Sequence, residues 1–294
     1  VSVLRTELQS IADNSFQVLR TRIDRFGVVA PNIQKLDRAE RIQIELPGIK
    51  EPERVKKLLQ GSANLEFWKT YNAVDIQGYI AAISERSREV LAGNVNDSVA
   101  AVTDSVATEI AQNTVLGFNK PLNELLGIMP QSAIIGVAHK NDTAAINTIL
   151  YKYRDLYPSD LKFAWDFKAF DDKETLFQLY TLRGDGVKKG AALDGEVVVS
   201  AKADQSQHSA AWEVDMQMNS PGTQRWANIT GAEKGKAIAI VLDGYVYSAP
   251  NVNDRIEGRR SQITGNFTVE DAKDLENVLR SGKMKAGVRI VQED

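Results

Sequence analysis

The stretch KAIAIVLDGYVYSAP, Lys236–Pro250, constrains the fold most. Two β-prone runs meet at Asp243-Gly244, and an Asp-Gly pair favours the positive φ values of a tight hairpin. The chain must therefore reverse on itself here. The elements around the hairpin extend the pattern. WEVDMQM, Trp212–Met218, alternates apolar and polar residues as a strand does. PGTQRWANITG reads as a short helix, TVEDAKDLENVLRSG as a longer one, and GVRIV as a last strand. That order is β-α-β-β-α-β, the ferredoxin-like arrangement.

The N-terminal segment gives a related order. In NSFQVLRTRIDRFG, Phe16, Leu19, Ile23 and Phe26 recur at three or four residues and predict a helix. Asn14 or Ser15 can cap its start and Gly27 its end. VVAPNIQKL and RIQIEL follow as strands, EPERVKKLLQG as a helix with Pro52 in its first turn, and ANLEFW as a strand. VSVLRTEL could supply a missing first strand. The fold class expected is α+β: a ferredoxin-like base of two related α/β halves, 1–70 and 188–294. An inserted α/β head, 71–187, divides them. Within the insertion, 72–93 and 96–113 read as helices, the second carrying the stripe Val99, Val102, Val106 and Ile110. SAIIGVAH (strand), DTAAINTILYKY (helix), LKFAWDF (strand) and ETLFQLYTLR (strand) follow. The insertion is entered near Phe67 and Trp68. It is left through a segment holding Gly184, Gly186, Gly190 and Gly195, which suits a flexible connection.

Little in the chain points to catalysis. It has 294 residues, a net charge of -3 and a pI near 5.7, without the basic excess of a nucleic-acid binder. The absence of cysteine excludes disulfides, thiolate metal sites and a cysteine nucleophile. His139 and His208 have no partner at metal-ligand spacing and read as surface or capping residues, so no metal or cofactor is expected. GAEKGK departs from a phosphate loop, with Ala237 where the magnesium-binding hydroxyl belongs. GDGVKKG has Lys189 where a dinucleotide fingerprint needs its third glycine. Asp171-Asp172 reads as a turn, and Arg255, Arg259 and Arg260, interleaved with acids, as a solvated loop. GNFTVEDAKDLENVLRSG poses an anion-cradle question. Thr268 and Asp271 answer it with capping-box spacing, and the acids Glu270 and Asp271 suit the positive end of the helix dipole, where they would repel an anion. No apolar run is long enough to span a bilayer and no signal peptide is seen, while a first residue Val1 reads as an excised piece of a larger chain.

DGYVYSAP followed by QITGNFTVEDAKDLENVLRSG closely resembles the C-terminal part of the first periplasmic domain of the SecD/SecDF family, membrane-anchored accessory subunits of the bacterial Sec translocase. LRTRIDRFGVVAPNIQKL and ERIQIELPGIKEPERVKKLLQGSANLEF agree with its N-terminal part. The likeness covers about residues 15–70 and 190–285. IIGVAHKNDTAAIN and LKFAWDFKAFDDKETLFQLYTLR look like the longer head of some members, while 72–126 departs from the short head of others.

The resemblance implies a domain on the periplasmic side of the inner membrane, held there by flanking transmembrane helices that this chain lacks. It implies the SecYEG channel and SecF as partners and unfolded preprotein as the substrate. A proton-driven membrane part would supply the force, and no residue here would be catalytic. On this reading the head swings about Phe67, Trp68, Gly184, Gly186, Gly190 and Gly195. Tyr151, Tyr153, Tyr157 and Trp165 are candidate preprotein contacts, because aromatic residues often anchor interfaces; core packing or a strand end is the competing reading for each. Two other classes compete: a hydrolase acting through carboxylates, and a static scaffold that docks envelope proteins.

Overall fold

In the computed structural model, which describes residues 2–25, 31–36, 41–48, 52–93, 116–171, 173–206, 211–284 and 288–292, Asp243 and Gly244 take φ values of 51° and 87°. These positive angles close the expected hairpin between β11 (Ile238–Leu242) and β12 (Tyr245–Ser248). Every residue of β11 is buried, so this strand is covered on both faces. Its other edge pairs antiparallel with β3 (Leu65–Thr70), Phe67 lying opposite Ile240. The sheet continues through β7 (Leu176–Arg183) and β5 (Ile134–His139) to β4 (Leu126–Gln131) at its edge. The strand β6 (Leu161–Trp165) pairs with β7, and the short β8 (Leu193–Asp194) pairs with β3, making eight strands.

This sheet curls. Pairing runs from β6 through β7, β3 and β11 to β12, and Asp166, just past β6, bridges back to Val246 of β12. Phe167 N donates to Val246 O at 2.9 Å across this seam, while Asp166 N donates to Gln178 O of β7 at 3.0 Å, prolonging the β6–β7 ladder. Small side chains fill the narrow interior: Ala133, Ala164, Ala237, Ala239, Val241 and Val246, with Leu182 and Tyr180. A second sheet has three strands, with β10 (Trp212–Met218) between β9 (Val198–Gln205) and β13 (Arg260–Phe267). Two strands, β1 (Asn32–Lys35) and β2 (Ile42–Glu45), form a third.

The helices are α1 (Ser2–Arg25), α2 (Pro52–Gln60), α3 (Ala73–Leu91), α4 (Leu122–Leu125), α5 (Thr143–Lys152), α6 (Ser220–Ala232) and α7 (Val269–Ser281). None of the described helices is long and apolar enough to cross a membrane. The α3 helix starts where the Asn72 side chain accepts from Val74 N, and it buries Ile76, Ile80 and Ile83 against α5 and β5. Each such burial is worth about 1.5–3 kcal/mol. The capping box predicted for α7 is present in both directions: Thr268 Oγ1 accepts from Asp271 N at 3.1 Å, and Asp271 Oδ2 accepts from Thr268 N at 2.9 Å.

The apolar side chains fall into separate cores. One holds Val18, Leu19, Ile23, Val55, Leu59 and Met284, joining α1, α2 and the segment after α7. A second lies among β3, β11, the three-stranded sheet, α6 and α7. A third unites α3, α4 and α5 with β5, β6 and β7. Residues of the expected base thus contribute to three clusters, counting the small-residue interior of the curled sheet.

Several expectations need correction. From Ser2 onward the segment expected as a first strand is the start of α1, and the helix runs through Asn14 and Ser15 without stopping to be capped. Its buried stripe is Ser15, Val18, Leu19, Arg22 and Ile23, and Phe16 instead lies under the Lys35 ammonium at 4.9 Å. The ferredoxin-like order is not realised as one sheet, because β10 joins β9 and β13 while β11 and β12 join the large sheet. Residues 288–292 form no strand; Val288 instead packs its side chain on the α1 core. Arg260 opens β13, so the basic loop is shorter than expected. The helix expected over 96–113 lies outside the described residues, as do Phe26, Gly27 and His208.

Candidate hinge and polypeptide-binding site

The four aromatic candidates do not form one surface. Tyr151 is 72% exposed on α5, with the Arg154 guanidinium over its ring at 5.2 Å. Tyr153 is 6% and Trp165 9% exposed, both within the α3–α5 core. Trp165 Nε1 donates to Asn147 Oδ1 at 2.9 Å. Tyr157 is half-buried, donates to Leu150 O at 2.9 Å and meets Phe163 edge-on at 5.4 Å. Three of the four thus carry packing, and Tyr151 alone faces solvent.

The expected crossings between head and base are firmly hydrogen-bonded. Phe67 is fully buried, sits between two paired neighbours in the ladder and meets Trp226 of α6 at 5.1 Å. Trp68 Nε1 donates to Glu66 Oε2 at 2.9 Å. Beside them, Thr70 Oγ1 donates to Ala237 O at 2.7 Å and Thr181 Oγ1 to Tyr71 O at 2.9 Å. Lys69 Nζ lies 2.7 Å from Asp185, and Arg183 pairs with the buried Glu233. Of the glycines, Gly186 takes φ +62° in a turn that the Asp185–Gly190 bridge closes. Gly184 and Gly195 are close-approach positions. A Cβ on Gly184 would stand 2.5 Å from Lys189 O, and one on Gly195 2.5 Å from Leu65 Cβ. Gly195→Ala is expected to cost about 1–3 kcal/mol by overpacking, read as a lower urea midpoint. An unchanged midpoint would mean that this contact yields freely.

The polar junction lies elsewhere, between residues 2–60, on which Met284 and Val288 pack, and residues 65–281. The chain crosses it at 61–64 and 282–284, two segments tied by Met284 N donating to Ser62 O at 2.8 Å. Arg22, fully buried, is the junction's central side chain. Its Nη1 donates to Leu58 O at 2.7 Å and to Gly61 O, and its Nε to Ser281 Oγ at 3.0 Å. Burial brings this guanidinium down to about 10, while the Asp243 charge acts the other way. Asp243 accepts from Asn64 N at 2.9 Å, Ala63 N at 3.2 Å and Ser62 Oγ, so the hairpin turn also holds the crossing segment. On the outer side, Arg54 grips Asp274 of α7 bidentately, both contacts at 2.7 Å. A cleft of about 470 Å³ opens along this junction. Leu65, Val198, Val278, Leu279 and Met284 line it with Asn14, Asn64, Asp194, Glu196 and Lys283.

Sequence reasoning missed Arg22 and Asp166. The signal for Arg22 was its place one turn after Val18 in an apolar helical stripe. Asp166, following the LKFAW strand, carried no comparable local signal. His139 caps its turn as expected, Nδ1 accepting from Asn141 N at 3.2 Å. Asp171 accepts from Thr175 N at 2.8 Å and Leu176 N at 2.6 Å, and these donors hold its carboxyl down at about 2. It is a turn residue.

Two family models match the chain. One, described as the SecDF P1 head subdomain, matches residues 178–286, and another, the N-terminal P1 domain of protein translocase subunit SecDF, matches 12–72. The head description thus falls on residues 178–286, most of which lie in the expected base. Protein translocase subunit SecD of Rhodothermus marinus is 37% identical over 99% of this chain and 47% of its own length. The same subunit of Calditerrivibrio nitroreducens is 27% identical over 95% of this chain and 40% of its own. The chain thus spans under half the length of these relatives. Two solved structures share the fold at 21% identity. One is described as a membrane component SecDF that enhances protein export (TM-score 0.51, 97% of this chain, 93% of that chain). The other is SecDF in a super-membrane-facing form (TM-score 0.52, 97% and 28%). The matches run in chain order along nearly the whole sequence, and the chain belongs to the SecD/SecDF protein translocase family, of which it carries the P1 region.

Proposed function

We propose that this region is the preprotein-engaging, moving part of a Sec translocase accessory subunit. It stands on the periplasmic side of the bacterial inner membrane, held by flanking helices, beside SecYEG and SecF. Unfolded preprotein is its substrate, and the proton-driven membrane part supplies the force. Residues 2–60, with Met284 and Val288 packed on them, stay near the membrane while residues 65–281 swing. The observation that carries this reading is the junction at 61–64 and 282–284, where two distinct hydrophobic cores, linked by Leu58, meet beside the Arg22 and Asp243 hydrogen bonds and a cleft. Interfaces between units that move are more polar than cores, and ion pairs and carbonyl contacts can be exchanged for water. The hinge expected at Phe67–Trp68 and Gly184–Gly195 would instead require breaking a strand ladder and a buried ion cluster.

The test uses the native absence of cysteine. Asn14→Cys and Glu196→Cys, which line the cleft from α1 and from the segment after β8, are joined in the full-length protein by a bismaleimide with an internal disulfide. Stimulation of preprotein export is expected to be lost on cross-linking and restored on reduction. Undiminished export by the cross-linked protein would favour the static scaffold instead.

A further inference from the structure

Every strand edge offers main-chain donors and acceptors, and proteins usually guard such edges with charge or cover. The edge strand β4, LGIMPQ, carries no Asp, Glu, Lys or Arg. It pairs on one side with β5, Gly127 opposite Val137 and Ile128 opposite Gly136, and among the described residues it ends the large sheet on the other. Ile128 is 42% and Met129 45% exposed. The adjoining α3 helix adds exposed Val74 and Tyr79. The edge has one guard, Pro130, which lacks an N–H.

We infer that β4 is the site at which this region takes hold of unfolded polypeptide, by adding an extended segment as a further strand of the large sheet. This rests on the preprotein-binding reading above and names its surface. Main-chain pairing recognises any extended chain, and two exposed apolar side chains on β4 favour apolar segments without fixing their sequence. That is the selectivity a carrier of many different clients needs. Without charge on the strand, no charge pattern in the client is selected. A second copy of this chain is a poorer occupant. The ladder register shifts between Ile128 and Gln131, and Pro130 removes a donor, so a two-fold β4–β4 pairing would have little beyond Leu126–Met129 from each copy. Such a short pairing falls well below the area of a stable dimer. Of the other exposed aromatics, Tyr151 has the Arg154 guanidinium over its ring, while Phe167, Phe170 and Tyr245 lie away from this edge strand's residues in the chain, and the 470 Å³ cleft belongs to the junction.

The probe is fluorescein-labelled, reduced and carboxymethylated lactalbumin, added to this 294-residue chain. Saturable binding by anisotropy is expected, with amide exchange slowed at 126–129. The double variant Ile128→Lys, Met129→Lys, whose new charges sit at exposed positions, is expected to raise Kd about tenfold or more. Tyr151→Lys is expected to leave Kd unchanged. Binding with slowed exchange elsewhere and a Kd indifferent to the β4 charges would overturn the edge assignment and leave the preprotein-binding reading standing. Failure of the chain to bind the probe would overturn both. Dimerisation by light scattering, lost in the double variant, with probe binding absent, would assign the edge to a second copy. The exchange footprint on the unmodified chain decides the matter even if the double variant misfolds.

Discussion

Arg22→Ala is expected to unfold residues 2–60 ahead of the rest of the chain. The guanidinium satisfies Leu58 O, Gly61 O and Ser281 Oγ in a fully buried position, and Asn277 Nδ2 donates back to Arg22 O at 3.3 Å. Alanine leaves these acceptors in a cavity. Each buried acceptor without a donor costs about 1–3 kcal/mol, part of which is offset because a cation no longer has to be desolvated and water can enter. A net loss of about 3 kcal/mol follows. Arg22→Met fills the volume without the donors and is expected to lose somewhat less, which separates the hydrogen bonds from the packing. The tryptophans, Trp68, Trp165, Trp212 and Trp226, all lie beyond residue 60. In urea, circular dichroism of Arg22→Ala should therefore show an early transition that tryptophan fluorescence does not follow. Coincident shifts of both signals would mean that the junction does not separate the cores, and the hinge placed there would fail with it.

Elements governed by local rules were legible in the sequence. The Asp243-Gly244 hairpin, the Thr268–Asp271 capping box, the Asn72-led α3 and the alternation of WEVDMQM each rest on residues within a few positions of one another. Strand partnership was not legible, because it is decided by contacts far apart along the chain. Nothing local to WEVDMQM distinguishes β9 and β13 from β11 as its neighbours. The β9 strand itself, VVSAKADQ, buries only Ala201 fully, and β13 is interrupted by Gly265, so neither shows a clean period. The β4 strand holds both Gly127 and Pro130, the residues that ordinarily speak against a strand. At the junction, a charged residue such as Arg22 in an apolar stripe reads as solvated until the carbonyls that surround it are known. The glycines between 184 and 195 misled for the opposite reason. Glycine serves close approach as well as freedom, and Gly184 and Gly195 serve approach.

Asp166→Asn is expected to stabilise the protein above about pH 7 and to flatten its pH dependence. Asp166 lies at the seam that closes the curled sheet, flanked by the 3.0 Å bond to Gln178 O and the bond from Phe167 to Val246, and burial pushes its carboxyl from 3.8 up to about 7. Tyr180, from β7, is the ionisable group that responds to it: burial and then the Asp166 charge raise its hydroxyl, which donates to Gln178 Oε1 at 3.1 Å. Between about pH 4 and pH 7 the folded protein holds a proton on Asp166 that the unfolded chain has released. Stability from this group therefore falls as pH rises through that window and is level above it. The full penalty is about 4 kcal/mol at about 1.4 kcal/mol for each tenfold change in proton affinity. Asparagine escapes the charge but must still bury an amide, so a gain of about 2–3 kcal/mol at pH values above the window is the expected net. Urea unfolding at both ends of the window measures it: the wild type should lose stability toward the alkaline end, and the variant much less. The loss should be local before it is global, with amide exchange at Phe167 speeding up in the wild type as Asp166 ionises. Equal pH slopes for the two proteins, or exchange at Phe167 indifferent to the substitution, would show that the seam does not feel this charge.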